Sequence, residues 1–389
     1  MKTHLLCVGG EDHFLRIPFL LALRHRGFQV TAAGTGDPAP FTQAGLDYCR
    51  FHFDRFLNPL ADWAAFRTLS KLILDLRPGI VQCFDTKPTL LLGLLARSTA
   101  DMTVVSTING LGWIYSSHSP MAYALRPVFC ALYRMASTST AVSVFQNRFD
   151  QAFFTRRRMV GKQGNLVIPG SGIDVDGFER AAAAGPTPAE VRTALGVGTS
   201  KLVITITRMT RQKGVPTLLK AAALVHAVRP DVRFLLVGPR KNEGPLAVTQ
   251  AEIDRHAPYV TALGWRSDVP ALLRAADVFA FPTELREGVP RALLEAAIAG
   301  CPIVTTDMPG CNDVIRDGWN GLLVPPGSAQ CLSERILRLL RDPGSAKSLA
   351  NRAAALVRKD FSLKLTVDRY VAVYDRLLNG CSLEQAIGQ

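Results

Sequence analysis

Lys201-Leu202-Val203-Ile204-Thr205-Ile206-Thr207 runs into the polar, glycine-closed segment Arg208-Met209-Thr210-Arg211-Gln212-Lys213-Gly214. A helical period over Val215–Val228 follows, and then a second apolar run, Arg233–Val237, that stops at Gly238-Pro239. The first run is short and almost uniformly apolar, which suits a parallel strand buried on both faces. The whole stretch reads as one strand–helix–strand unit. Toward the C-terminus the alternation continues, with strands at Tyr259–Leu263, Val278–Phe281, Ile303–Thr306 and Gly321–Val324. Helices lie at Pro270–Ala276 and Arg291–Ala299, the latter stopped by Gly300, and three more close the chain at Ala329–Arg341, Ala346–Lys359 and Leu363–Leu378. Toward the N-terminus the same pattern places strands at Leu5–Val8, Phe28–Ala33, Ile80–Phe84, Thr103–Ile108, Ala141–Phe145 and Leu166–Ile168, with a helix from Asp12 to Arg26. Between the halves, Ala181–Pro188 has small residues, Gly and two prolines without apolar period, and reads as a linker.

A chain of 389 residues with 48% apolar content suits two cores. The expected fold class is therefore α/β, two doubly wound Rossmann-like domains facing a central cleft: residues 1–183, residues 189–360, and a segment 361–389 whose helix returns to the first domain. Sheets of this kind bind ligands beyond the C-terminal ends of their strands, so the crevice between domains is the expected site.

The formal net charge of +13 favours anionic partners, and reads as spread along the chain with one cluster, Arg156-Arg157-Arg158 and Lys162. No aromatic-interleaved basic signature is present, so phosphates and lipid headgroups are favoured over nucleic acid; plain solubility accounts for the charge equally well. None of the eight cysteines forms a C-x-x-C pair, which fits buried thiols in a reduced, cytoplasmic setting and offers no zinc spacing. Met1–Val8 reads as a short strand and not a signal peptide, and no run of about twenty apolar residues is present. Any membrane contact is then peripheral, with Trp113-Ile114-Tyr115 and Met121–Leu132 as the apolar candidates.

The chemistry concentrates in two places. Glu287-Gly288-Val289-Pro290-Arg291-Ala292-Leu293-Leu294-Glu295 puts one carboxylate in a loop before a helix and a second inside that helix. The free amides of the first turn and the positive end of the helix dipole suit a diphosphate. An ionised Glu beside them accepts hydrogen bonds from hydroxyls. Arg208 and Lys213 stand where a strand gives way to a helix, one a bidentate fork and the other a mobile point charge. Spacing alone favours solvent-facing glutamates at 287 and 295, and allows exposed loop cations at 208 and 213 equally well.

Taken with Leu236-Val237-Gly238, Leu263-Gly264-Trp265, Asp268-Val269, Ala276-Asp277-Val278-Phe279, Pro282-Thr283 and Gly318-Trp319-Asn320-Gly321-Leu322-Leu323-Val324, this ordered set resembles the donor domain of retaining glycosyltransferases of family 4, which have the GT-B fold. The resemblance is strong over about residues 165–345 and weak over 1–150. It implies that Arg208 and Lys213 bind the donor diphosphate and that Glu287 meets the donor sugar. Glu295 would take the ribose hydroxyls, and Gly288, Val289, Pro290, Arg291 and Gly238 would line the donor site. The Gly264-Trp265-Arg266 loop would lie against the base. It implies no metal and no cofactor, the UDP-sugar being a substrate. Arg286–Arg291 with Thr305–Cys311, and the segment Thr107-Ile108-Asn109-Gly110-Leu111-Gly112-Trp113, which reads otherwise as an ordinary strand-to-helix turn, are similar to a subgroup acting on polyprenyl-diphosphate-linked glycans in surface polysaccharide or glycan assembly. That subgroup transfers hexoses or N-acetylhexosamines, which implies a lipid-linked acceptor and a place on the inner face of the cytoplasmic membrane, an anionic surface. Many family members carry His-Gly where this chain has Asn109-Gly110, a departure from the family's His near the reacting sugar; His118, nine residues on, could reach the same place but reads more simply as a surface histidine. Gly9, Gly10 and Arg16, with His13 between, stand at the family's first loop and could touch the acceptor, or else read as an exposed helix start. The competing readings are a UDP-sugar epimerase of the same fold and a non-catalytic nucleotide-sugar binder.

Overall fold

The computed structural model describes residues 2–53, 58–97, 102–111, 114–115, 119–239 and 244–380. The chain forms two compact units, one of residues 1–172 with 363–389, the other of residues 173–362.

The first unit holds a seven-stranded, all-parallel sheet in the order β3-β2-β1-β4-β5-β6-β7. Its strands are β1 (His4–Gly9), β2 (Gln29–Gly34), β3 (Asp47–Arg50), β4 (Ile80–Phe84), β5 (Thr103–Ile108), β6 (Thr140–Phe145) and β7 (Asn165–Val167). Leu5 and Cys7 enter one core while Leu6 and Val8 enter another, so the sheet is buried on both faces. The edge strand β3 is polar and half-exposed, which is why periodicity did not reveal it. The expected helix from Asp12 to Arg26 is instead a 3₁₀ segment, Glu11–Arg16, leading into a helix at Ile17–His25.

The second unit holds a six-stranded parallel sheet, β10-β9-β8-β11-β12-β13. Here β8 is Lys201–Ile206, β9 Val232–Val237, β10 Val260–Gly264, β11 Val278–Phe281, β12 Ile303–Thr306 and β13 Leu322–Val324. Leu202 and Ile204 face one core and Val203 the other.

The chain does not divide at 181–188. Asp174 caps a helix at Val175–Ala184, and Thr187 with Glu190 forms a capping box on a second helix at Pro188–Ala194; both pack within the second unit. Four successive alanines lack an apolar period yet have the highest helix propensity, so they build a helix where a linker was expected. The crossings fall at 172/173 and 362/363. The closing helix Leu363–Leu378 belongs to the first unit: Val367, Tyr370, Val373 and Tyr374 join its core. Tyr370 Oη pairs with Thr107 Oγ1 at 2.8 Å, and Tyr374 Oη donates to Gln82 Oε1 at 2.9 Å.

Candidate active site

In the second unit the loops after β8, β9, β10, β11 and β12 all emerge at the C-terminal edge of the sheet, and backbone bonds lace them together. Met209 N donates to Pro239 O, Gly238 N to Gly264 O, and Glu284 N to Gln212 O. The loop after β8 carries Arg208 and then Lys213, which is only 7% exposed. Its end is pinned by Gly214, at φ +70°, where a Cβ would fall 1.8 Å from Pro282 O. Only glycine permits this contact between the β8 and β11 loops.

That contact sets Lys213 against Glu287. Lys213 Nζ lies 2.5 Å from Glu287 Oε2 and 5.5 Å from the centre of the Phe281 ring. Thr283, fully buried, donates to Glu287 Oε1 at 3.1 Å, and its own carbonyl accepts from Thr306 Oγ1. The carboxylate is thus oriented and engaged on both oxygens. Burial, helped by the Glu287 charge, pushes the nearby Cys311 thiol up to about 12, so it stays protonated and is no nucleophile.

Three residues beyond Glu287 the helix Arg291–Ile298 begins at Pro290, whose side chain makes no capping bond. Its first-turn amides are therefore not taken by a side-chain cap at that position. Glu295, in the second turn, receives Arg291 Nε at 2.8 Å. Past β10, Trp265 is 67% exposed, and Arg266 is tied to Asp268 through two bonds of 2.8 and 2.6 Å. The structure thus brings Lys213 and Glu287 into contact, with Arg208, Gly238, Gly288, Val289 and the helix start in the loops around them.

The first unit has its own cluster at the equivalent sheet edge. Gly9 ends β1, and Gly10 N donates to Asp85 Oδ2 at 3.1 Å. Asn109, just past β5, donates from Nδ2 to Asp85 Oδ1 at 2.6 Å and accepts on Oδ1 from Gln146 Nε2 at 2.8 Å. Gln146, just past β6, also reaches Ser171 Oγ. Arg16 NH2 stands 3.7 Å from Asp85 Oδ1, with its guanidinium 4.4 Å over the Phe84 ring. Gly110 adopts φ +136°. Gly112, Trp113 and His118 lie outside the described residues.

His13 and Arg16 are not an exposed helix start. His13 is fully buried and Arg16 is 9% exposed. The 3₁₀ turn folds the imidazole onto Gly9, where a Cβ would sit 2.2 Å from Nδ1, and against Phe41 and Phe84. Burial, with Arg16 adding to it, pushes the His13 pKa down to about 3, so the ring is neutral.

Asp85 and Gln146 were not singled out in the sequence. Asp85 has φ 70° and ψ 164°, a region that is essentially glycine's alone. It precedes the helix Thr86–Leu95, yet its carboxylate caps nothing there and turns to Gly10 and Asn109 instead. Strain of about 1–3 kcal/mol held by surrounding bonds is what a functional position shows. Its side chain remains 36% exposed.

The model for "Glycosyl transferases group 1" matches residues 200–342, and that for "Glycosyltransferase Family 4" matches residues 19–151. The chain is a family 4 glycosyltransferase. It is 28% identical over 378 residues to the N,N'-diacetylbacillosaminyl-diphospho-undecaprenol alpha-1,3-N-acetylgalactosaminyltransferase of Campylobacter jejuni, covering 95% of this chain and 97% of the relative. It is 26% identical over 273 residues to the UDP-Gal:alpha-D-GlcNAc-diphosphoundecaprenol alpha-1,3-galactosyltransferase of Escherichia coli, covering 69% of this chain and 68% of that one. The crystal structure of Anabaena HepE in complex with UDP-glucose matches with a TM-score of 0.79 at 19% identity, covering 96% of this transferase and all of that chain. This likeness identifies the GT-B fold. Membership of the family and the named relatives make the protein a hexosyltransferase and do not favour an epimerase or a mere binder.

Among the described residues of this transferase, no three His, Cys, Asp or Glu side chains gather to hold a metal ion, and no helix is long and apolar enough to cross a membrane. Cys7, Cys83, Cys301 and Cys311 are buried free thiols, and Cys49, Cys130 and Cys331 are half-buried.

Proposed function

We propose that this glycosyltransferase moves a hexose or N-acetylhexosamine from a UDP-sugar, with retention, onto a polyprenyl-diphosphate-linked glycan. It would do so while held peripherally on the inner face of the cytoplasmic membrane. The observation that carries the reading is the buried Lys213–Glu287 pair beside the start of the helix Arg291–Ile298. The Campylobacter jejuni and Escherichia coli relatives act on undecaprenyl-diphosphate-linked sugars, and the HepE structure holds UDP-glucose; both support the same choice of substrates.

Lys213 carries three donors and spends one on Glu287. The remaining donors, the Arg208 fork and the first-turn amides would receive the diphosphate as negative charge develops on departure. Glu287, oriented by Lys213 and Thr283, would accept from a donor-sugar hydroxyl. Its two engaged oxygens make it a poor covalent nucleophile, so retention would not proceed through a glycosyl-enzyme formed there. Glu295 would accept from the ribose, and the Gly264-Trp265-Arg266 loop would cover the base. In the first unit Asp85, fixed by Gly10 and Asn109, would receive the acceptor hydroxyl, with Gly9, Arg16 and Gly110 alongside. No metal or other cofactor enters this scheme.

The test is release of nucleoside diphosphate from a panel of sugar nucleotides, with and without a short polyprenyl-diphosphate-sugar, and anomeric analysis of the product. Acceptor-dependent release from one UDP-sugar, an axial product linkage from an axial donor, and loss of both in Glu287→Ala are expected. Release that ignores the acceptor, or an inverted product, would reject the reading.

A further inference from the structure

The helix Pro120–Ser137 is apolar on both faces. Its inner face, with Ala122, Phe129, Tyr133 and Ala136 buried, packs on the helix Thr86–Leu95. On the outer face Met121 is 68% exposed, Val128 52%, Leu132 37% and Met135 46%, with Ala124 and Ala131 exposed between them. Spacings of three and four make these one stripe along the whole helix, about 27 Å long. A water-facing helix surface ordinarily carries charge there.

The charge in this part of the chain has one sign. Residues 102–163 hold seven Lys and Arg against a single acid, Asp150, a net +6 of the chain's +13. Asp150 is fully buried. The positive excess is therefore concentrated here and not spread evenly, as composition had suggested. Arg134 borders the stripe and its Nε donates to Arg157 O at 2.9 Å, which brings the Arg156–Arg158 turn to that border. Arg97 reaches the carbonyl of Met135 near the helix end.

An apolar stripe with an arginine rim and, among the described residues of 102–163, no exposed carboxylate fits an anionic bilayer, whose acyl region takes the side chains and whose headgroup phosphates take the guanidinium groups. A second copy of the chain would press one positive rim on another. We propose that the helix Pro120–Ser137 is the membrane-docking element. It lies flat in the interface, with Met121, Val128, Leu132 and Met135 among acyl chains and Arg97, Arg134 and the Arg156–Arg158 turn on lipid phosphates. Its use, bringing the enzyme to its acceptor, rests on the lipid-linked reading above; the surface itself does not.

The experiment is co-sedimentation of the full chain with vesicles of phosphatidylcholine alone or with about one third phosphatidylglycerol. Binding to the anionic vesicles at least about ten-fold tighter, and weakening with salt, is expected. Val128→Ser with Leu132→Ser should weaken it by about ten-fold or more, and Arg156→Glu with Arg158→Glu should remove the preference for anionic lipid. Both double variants should keep transfer to a short-chain, water-soluble acceptor. Equal binding to the two vesicle types, unchanged binding in the serine variant, or a dimer that the serine variant dissociates in sedimentation velocity would each overturn the proposal. Vesicle binding without any sugar transfer by the wild type would reject the proposed function and leave the docking surface standing.

Discussion

Both units gather polar groups at the C-terminal edge of a parallel sheet, but they do so by different means. In the second unit the decisive residues come in short runs: Arg208 and Lys213 share one loop, and Glu287 and Glu295 flank one helix start. The Lys213–Glu287 pair joins just two loops, locked by the approach of Gly214 to Pro282. In the first unit each strand end contributes a single residue: Gly10 after β1, Asp85 after β4, Asn109 after β5 and Gln146 after β6. No local run contains two of them. Diphosphate binding needs dense charge and amides, which a loop–helix junction supplies locally. A hydroxyl-binding carboxylate needs only a fixed orientation, which distant strand ends can supply.

The largest effect expected from this contrast lies in the second unit. Lys213→Met should lower kcat by about 10²–10³ and also destabilise the fold, because Glu287 loses its cation. Lys213→Met with Glu287→Gln should regain most of the stability and none of the activity. Urea unfolding and turnover measured on both variants check this, and recovery of both together would break the assignment of the pair to catalysis.

The first unit should be the acid-sensitive one. His13 has its folded-state pKa depressed from 6.5 to about 3, so the unfolded chain takes up this proton first as pH falls. Stability from the neutral ring is complete above about pH 6.5 and drains away as pH drops toward 3, at up to about 1.4 kcal/mol per pH unit. Urea midpoints between about pH 4.5 and 7 should fall steeply for the wild type and less so for His13→Gln.

How much of this was legible follows the same division. Apolar runs such as Leu202–Ile206 and Leu5–Val8 announced both sheets, because a parallel strand buried on two faces leaves little else to read. The Glu287–Glu295 run and the Arg208–Lys213 loop were legible because their residues are neighbours in the chain. Asp85 was not: one acid after a strand looks like any helix cap, and its glycine-like backbone is invisible in the sequence. His13 looked like a surface residue because the 3₁₀ turn that buries it carries no apolar period. The helix at Val175–Ala184 was hidden by its alanines, which signal propensity but no face.

The strain at Asp85 sharpens the comparison by a smaller margin. At an ordinary position Ala is more stabilising than Gly, whereas at φ 70° and ψ 164° the order should reverse. Asp85→Gly should exceed Asp85→Ala in unfolding free energy by about 1–2 kcal/mol, and both should raise the KM for acceptor while leaving donor KM in place. Smallest is Glu295→Gln, expected to raise donor KM about five-fold with kcat little changed, since one ribose bond weakens without altering the diphosphate contacts.

The central claim, that the nucleotide is held by the second unit and the acceptor by the first, is tested most directly by calorimetric titration of UDP into the wild type, Lys213→Met and Asp85→Asn. UDP affinity should fall about ten-fold or more in Lys213→Met and be unchanged in Asp85→Asn. Unchanged affinity in Lys213→Met, with loss in Asp85→Asn, would place the nucleotide in the other unit and contradict the account.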